Sequence, residues 1–269
     1  MMDIVVNGQR LYCYTGGKAF DATRPTAIFV HGVLNDHSVW ILQTRALAHH
    51  GWNVLALDLP GQGNSAGEPP ASVEAGADVV QRLMDAMSLQ KAALIGPSFG
   101  SLGALETAAR LGPRVSHLVL LGTASPMPVS PALLEASQHD PQKAIALVNV
   151  YSHSTLAPPP SALGPGTWLY GGSRALMRRV LESNPRVNLF HTGFKACDGY
   201  RGAEAAMAKV SAPTLFILGA RDQMTPPAAA QPLVRAARDA TVAVVAAGHA
   251  MMLEAPAAVL AQLQAFLQR

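Results

Sequence analysis

With 269 residues, of which 49% are hydrophobic and 14% charged, the chain can bury a large core without metal or disulfide staples and lacks the composition of a disordered protein. Its net charge of +3 is scattered, Arg178-Arg179 being the one adjacent basic pair, which argues against a nucleic-acid partner.

The N-terminal "DIVV", Asn7-Gly8 and "RLYCYTG" read as a hairpin, because Asn-Gly supplies the positive φ angles of a two-residue turn. This start has no basic lead or long apolar stretch, and no later segment reaches the ~18 apolar residues of a membrane span. Cys13 and Cys197 are remote from each other and lack metal-ligand spacing, so a soluble chain in the reducing cytoplasm is expected, with a disulfide left open. "TAIFVHG" (26–32) is a continuous apolar run, the pattern of a strand covered on both faces. A helical pattern over 37–51 ends on glycine, and the alternation continues with strand 52–58, helix 72–88, strand 91–96, helix 99–111 and strand 115–122. After an interruption it resumes with strand 212–220, helix 226–238, strand 240–246 and helix 255–268. Strands alternating with helices specify a parallel sheet wrapped on both sides.

The interruption, 124–208, contains no strand of the buried kind. Ser130-Pro131 and Asp140-Pro141 each read as an N-cap followed by proline at the first helical position, and "APPPSALGPG" (157–166) reads as a rigid connector. The expected organisation is therefore a core of residues 1–123 and 209–269 with a helical cap, or lid, inserted at 124–208.

"AALIGPSFGSLGAL" places Ser98 between Gly96 and Gly100, after a strand and before a helix. Gly-x-Ser-x-Gly in that context is a nucleophile elbow, whose sharp turn exposes the serine hydroxyl above the sheet. A serine hydroxyl needs a base, and the base an orienting acid. "AAGHAMM" delivers His249 just beyond the last strand, and "LFILGARDQMTP" delivers Asp222 after the preceding one, although Thr225-Pro226 also reads as a helix start. The order Ser98, Asp222, His249 is the order this kind of sheet imposes. Asp58 is a rival acid by residue type, but its setting, "DLPGQGNS", reads as a structural turn. For a developing oxyanion, the Phe99 amide at a helix N-terminus and the Val33 amide in "FVHGVLND" are the candidate donors.

On "HGVLND", "DLPGQGNS", "GPSFG", "GARDQMTP" and "AGHAMMLEAP", in order and spacing, the chain resembles the α/β-hydrolase fold family, and within it capped bacterial esterases, lactonases and cofactor-free haloperoxidase-like enzymes. The resemblance covers nearly the whole length. It implies an eight-stranded, mostly parallel sheet, Ser98 as nucleophile, His249 as base, Asp222 as orienter, Val33 and Phe99 as oxyanion donors, and no cofactor or metal. Family members that open haloalkanes or epoxides carry aspartate where Ser98 stands, so serine points to acyl transfer. Three departures stand out. Pro97 replaces a frequent polar residue beside the nucleophile, Gln62 and Asn64 alter the usual form of the following motif, and small Ala250 sits beside His249.

The expected substrate is a small or medium, largely apolar ester or lactone. Trp168, Tyr170, Phe190, Phe194 and Met251 are candidate pocket residues, each weighed against simple core packing. Arg178-Arg179 reads as a solvated helix face, and Asn35 and Asp36 as loop stabilisers. Carbon-carbon bond hydrolysis of a ring-fission product and a non-catalytic ligand-binding pseudo-hydrolase are the alternatives. A homodimer stays open.

Overall fold

The computed structural model describes residues 1–154 and 167–268. The proline-rich stretch 157–166 lies outside the described residues. The chain opens with β1 (Met2–Val6) and β2 (Gln9–Tyr14), an antiparallel hairpin turned by Asn7 and Gly8 at φ 50° and 75°. Then come β3 (Thr26–Phe29), α1 (Ile41–His49), β4 (Asn53–Leu57), α2 (Val73–Ala86), β5 (Ala92–Pro97), α3 (Phe99–Leu111) and β6 (Val115–Leu121). After a helical segment follow β7 (Thr214–Gly219), β8 (Ala240–Val245), and two further helices described below.

The eight strands form one sheet in the order β1-β2-β4-β3-β5-β6-β7-β8, antiparallel at β1-β2 and β2-β4 and parallel elsewhere. Every residue of β3, β4, β5 and β7 is buried, as continuous apolar runs require in a sheet covered on both faces. Two apolar cores result. One packs Leu94, Leu118 and Phe216 against Val80, Leu83 and Leu105 of α2 and α3. The other packs Phe29, Ile95 and Ile217 against Trp40 and Leu47 and against the C-terminal helix. Strand order reverses at β3-β5, where β4 lies to one side of β3 and β5 to the other, so the C-terminal ends of β3 and β5 flank a crevice, the usual ligand position in open α/β sheets.

Between β6 and β7 the described residues form only helices: α4 (Pro131–His139), α5 (Pro141–Ser152), α6 (Leu169–Glu182), α7 (Leu189–Gly199) and α8 (Ala203–Met207). Ser130 and Asp140 cap α4 and α5 through Leu133 N and Lys143 N, each followed by proline in the first turn, as their sequence indicates.

Several boundaries differ from expectation. β3 stops at Phe29, and the chain beyond it turns into the loop at His31, whose ring bonds to Gly32 O and to Leu59 N after β4. The 226–238 helix is a 3₁₀ turn (Pro227–Ala230) followed by α9 (Gln231–Ala236), starting one residue past Pro226. A short α10 (Met251–Glu254) precedes α11 (Pro256–Leu267). Cys13 and Cys197 are buried free thiols, and burial pushes Cys197 up to about 12. No helix of the described residues is long and apolar enough to cross a membrane.

Candidate active site

The site starts at the β5-α3 turn. Ser98 has φ 49° and ψ −122°, a conformation that costs a non-glycine residue about 1–3 kcal/mol and persists only where its surroundings hold it. They do so from both sides. A Cβ on Gly96 would collide with the Gly100 carbonyl, and one on Gly100 with the Val30 and His31 carbonyls, so only glycines let β5, α3 and the end of β3 approach this closely. Ser98 N donates to Leu121 O at 3.0 Å, fixing the turn to β6.

Asp222 follows β7. Its side chain is fully buried, and Oδ1 accepts from Met224 N and Thr225 N, both at 2.8 Å. Oδ2 accepts from Thr225 Oγ1 at 2.8 Å and faces His249 Nδ1 at 2.8 Å. Burial would raise the Asp222 carboxyl, but His249 and the Thr225 hydrogen bonds outweigh it and hold the group below its ordinary value. A carboxylate opposite Nδ1 assigns the ring proton to that nitrogen, which leaves Nε2 as the acceptor. Gly122, at φ 49° after β6, lies beneath the pair: a Cβ there would stand 3.0 Å from His249 Nδ1 and 3.3 Å from Asp222 Oδ2.

The loop carrying His249 is anchored by Glu254. Its Oε2 accepts from Gly248 N at 2.6 Å, and its Oε1 from Ser154 N at 2.8 Å and Ser154 Oγ at 2.7 Å. Ala250 N also donates to Ser152 O at 2.9 Å, so the end of α5 and the His249 loop are stitched together.

Ser98 and His249 line one cavity of about 680 Å³ of atom-free space, part of it open to solvent. Among the described residues no hydrogen bond joins the two side chains, the partners of His249 being Asp222 and Thr225. Val33 shares this wall. Phe99 begins α3, where first-turn N–H groups have no intrahelical partner. Among the described residues, neither Val33 N nor Phe99 N donates a hydrogen bond. The Val33 loop is set by buried His31, whose pKa burial lowers, and whose Nδ1 donates to Gly32 O while Nε2 accepts from Leu59 N.

The candidate pocket residues separate. Phe190 and Phe194 line the cavity, their rings 4.7 Å apart. Trp168 does not: it is 62% exposed beside another hollow. Tyr170 packs on His153 instead. Met251 points into the core, and Met252, one step round α10, takes the lining position. Pro97 and Ala250 also line the wall, making it apolar beside both Ser98 and His249.

Asp58 is engaged elsewhere. Oδ1 accepts from His37 N and faces His37 Nδ1, each at 2.8 Å, and Oδ2 accepts from Asn64 N and Nδ2. Asp36, His37 and Asp58 bring donor atoms within 4.8 Å of one another, but protein groups already occupy them. Asp36 caps a 3₁₀ turn through Ser38 N and pairs with Arg179 Nη2 at 2.8 Å, so Arg179, on a solvated face with its side chain 63% exposed, also ties α6 to the core loop.

A sequence profile of the alpha/beta hydrolase fold matches residues 25–256. Mouse protein ABHD14A is 36% identical over 87 residues, 31% of this chain and 35% of that protein, so the matched stretch spans about a third of that relative. The pimeloyl-[acyl-carrier protein] methyl ester esterase of Neisseria meningitidis is 30% identical over 190 residues, 65% of this chain and 67% of that one. Among solved structures, the enol-lactonase from Burkholderia xenovorans superposes over the full length of both chains with a TM-score of 0.82 at 20% identity.

Proposed function

The chain belongs to the α/β-hydrolase fold family, and on that premise we propose that it is a serine hydrolase cleaving a small or medium, largely apolar carboxylic ester or lactone through an acyl-enzyme on Ser98. One observation carries this reading: Ser98, held at positive φ on a strand-to-helix turn, shares a cavity with an imidazole whose far nitrogen faces a buried carboxylate.

In this mechanism His249 Nε2 takes the Ser98 proton as Oγ attacks the ester carbonyl, and Asp222 stabilises the resulting imidazolium and fixes its tautomer. The Val33 and Phe99 N–H groups receive the oxyanion, where one such donor is typically worth about 10²- to 10³-fold in rate. His249 then protonates the departing alcohol. Water, deprotonated by the same nitrogen, releases the acid.

Helices α4 to α8 act as the cap, with α5, α6 and α7 supplying Val148, Met177, Phe190 and Phe194 to the roof. The apolar wall favours an apolar substrate. The deciding experiment is hydrolysis of short p-nitrophenyl esters and lactones by the wild-type chain and by Ser98→Ala. Turnover by the first and its loss in the second is expected. Turnover that survives in Ser98→Ala, or none in either, overturns the reading, the latter in favour of a ligand-binding role.

A further inference from the structure

We propose that the cavity selects acyl groups that are uncharged and carry a neutral hydrogen-bond acceptor a few atoms from the scissile carbonyl, read by the hydroxyls of Ser152 and Ser173. This rests on the serine-hydrolase reading and names its substrate class more narrowly.

The hydroxyls of most helical serines and threonines near the core are used internally. Those of Thr44, Thr107, Ser137 and Ser183 each donate to a carbonyl three or four residues back, all at 2.7 Å. Ser152 and Ser173 do not. Both line the cavity, Ser152 from the end of α5 and Ser173 from α6, and among the described residues neither hydroxyl has a hydrogen-bond partner. Ser152 is only 6% exposed as a residue and lines the cavity, so the surface it keeps is open to a ligand there. Its position is fixed, because Ser152 O accepts from Ala250 N and its neighbour Ser154 is held by Glu254, on either side of His249. A polar group recognised there lies beside the reacting centre.

Charge is excluded by the same wall. Among the described residues no lysine, arginine, aspartate or glutamate lines the cavity, and His249 is the one titratable residue that does. Arg179 is held by Asp36 and Arg178 by Gln142. Arg174, next to Ser173 on α6, is not among the lining residues, and its Nε is buried with no hydrogen-bond partner among the described residues. A carboxylate enclosed here would lose water and gain no counter-charge. The acyl part is the one selected because it stays in the cavity through both half-reactions, while the alcohol must leave before water can attack.

The test compares p-nitrophenyl pentanoate, levulinate and the monoester of glutarate, which share chain length and differ in a distal methyl, ketone or carboxylate. The wild-type chain is expected to favour levulinate over pentanoate in kcat/KM and to disfavour the glutarate ester by about 10²-fold. The levulinate-to-pentanoate ratio should fall roughly 3- to 10-fold in Ser152→Ala and in Ser173→Ala, the effect of one neutral hydrogen bond. A wild-type preference for glutarate, or a ratio unchanged in both variants, overturns the inference. Pentanoate hydrolysis that disappears in Ser98→Ala leaves the serine-hydrolase reading standing in that case, whereas no hydrolysis of any ester overturns both.

Discussion

Asp222 Oδ2 and His249 Nδ1 stand 2.8 Å apart across 27 residues of sequence, joining the loops after two neighbouring parallel strands. The carboxylate is buried and carries donors on both oxygens, so its charge is fixed and its direction is set. Asp222→Asn presents an amide that no longer demands a proton on Nδ1. Turnover of a good ester should drop by up to ~10⁴-fold while the far-ultraviolet circular dichroism stays native. Near-normal turnover would move the acid elsewhere, with Asp58 the first residue to try.

Thr225 closes the same arrangement, its Oγ1 2.8 Å from Asp222 Oδ2 and 3.1 Å from His249 Nδ1. Thr225→Val keeps the shape and removes the donor. A fall of about 10-fold in kcat is expected, the scale of a hydrogen bond to a charged group, with recovery in Thr225→Ser. Equal loss in Val and Ser variants would point to packing rather than the hydroxyl.

Glu254 receives three donors from two segments that flank the imidazole. Glu254→Gln replaces one acceptor oxygen with an NH₂ that must face an N–H, so the loop loosens. We expect kcat to decrease about 10-fold with KM nearly constant, measured over a concentration series of one ester that spans KM. An unchanged kcat would show that the His249 loop holds without it.

The second aspartate-histidine pair, Asp58 with His37, belongs to stability. Burial pushes the His37 imidazole down, but the Asp58 hydrogen bond and charge outweigh it, so its pKa lies above the ordinary 6.5. Asp58 is buried too, and His37 and the neighbouring N–H hold it below 3.8. The raised His37 contributes fully below 6.5 and loses its contribution as pH rises through the folded value; the depressed Asp58 contributes fully above 3.8 and loses it as pH falls through its folded value. The Tm deficit of His37→Asn relative to wild type should therefore be largest near about pH 5.5 and shrink by about pH 9. A deficit independent of pH would mean that the charge pair adds nothing.

Local pattern carried much of this fold. Buried strands such as "KAALIG" and "TLFILG" are legible because their apolar runs fit only a doubly covered sheet, and Ser98 is legible because its two glycines have a steric reason to be there. Less accessible were features that join distant segments. Glu254 to Ser154 spans 100 residues, and Arg179 to Asp36 spans 143, so nothing local marks either. Among the aromatic residues of the helical segment, pocket and surface positions differ by helix phase and by the path between helices. Phe190 and Phe194 therefore face the cavity while Trp168, of equal hydrophobic promise, is exposed.

Activation of the Ser98 hydroxyl by His249 underlies the proposed chemistry. Intact-mass and peptide analysis after treatment with a fluorophosphonate tests it most directly, because the probe reports the activated hydroxyl whatever the natural ester is. A single adduct is expected on the peptide containing Ser98, absent in Ser98→Ala and formed far more slowly in His249→Ala. An unlabelled wild-type chain, or an adduct that persists in Ser98→Ala, would contradict it.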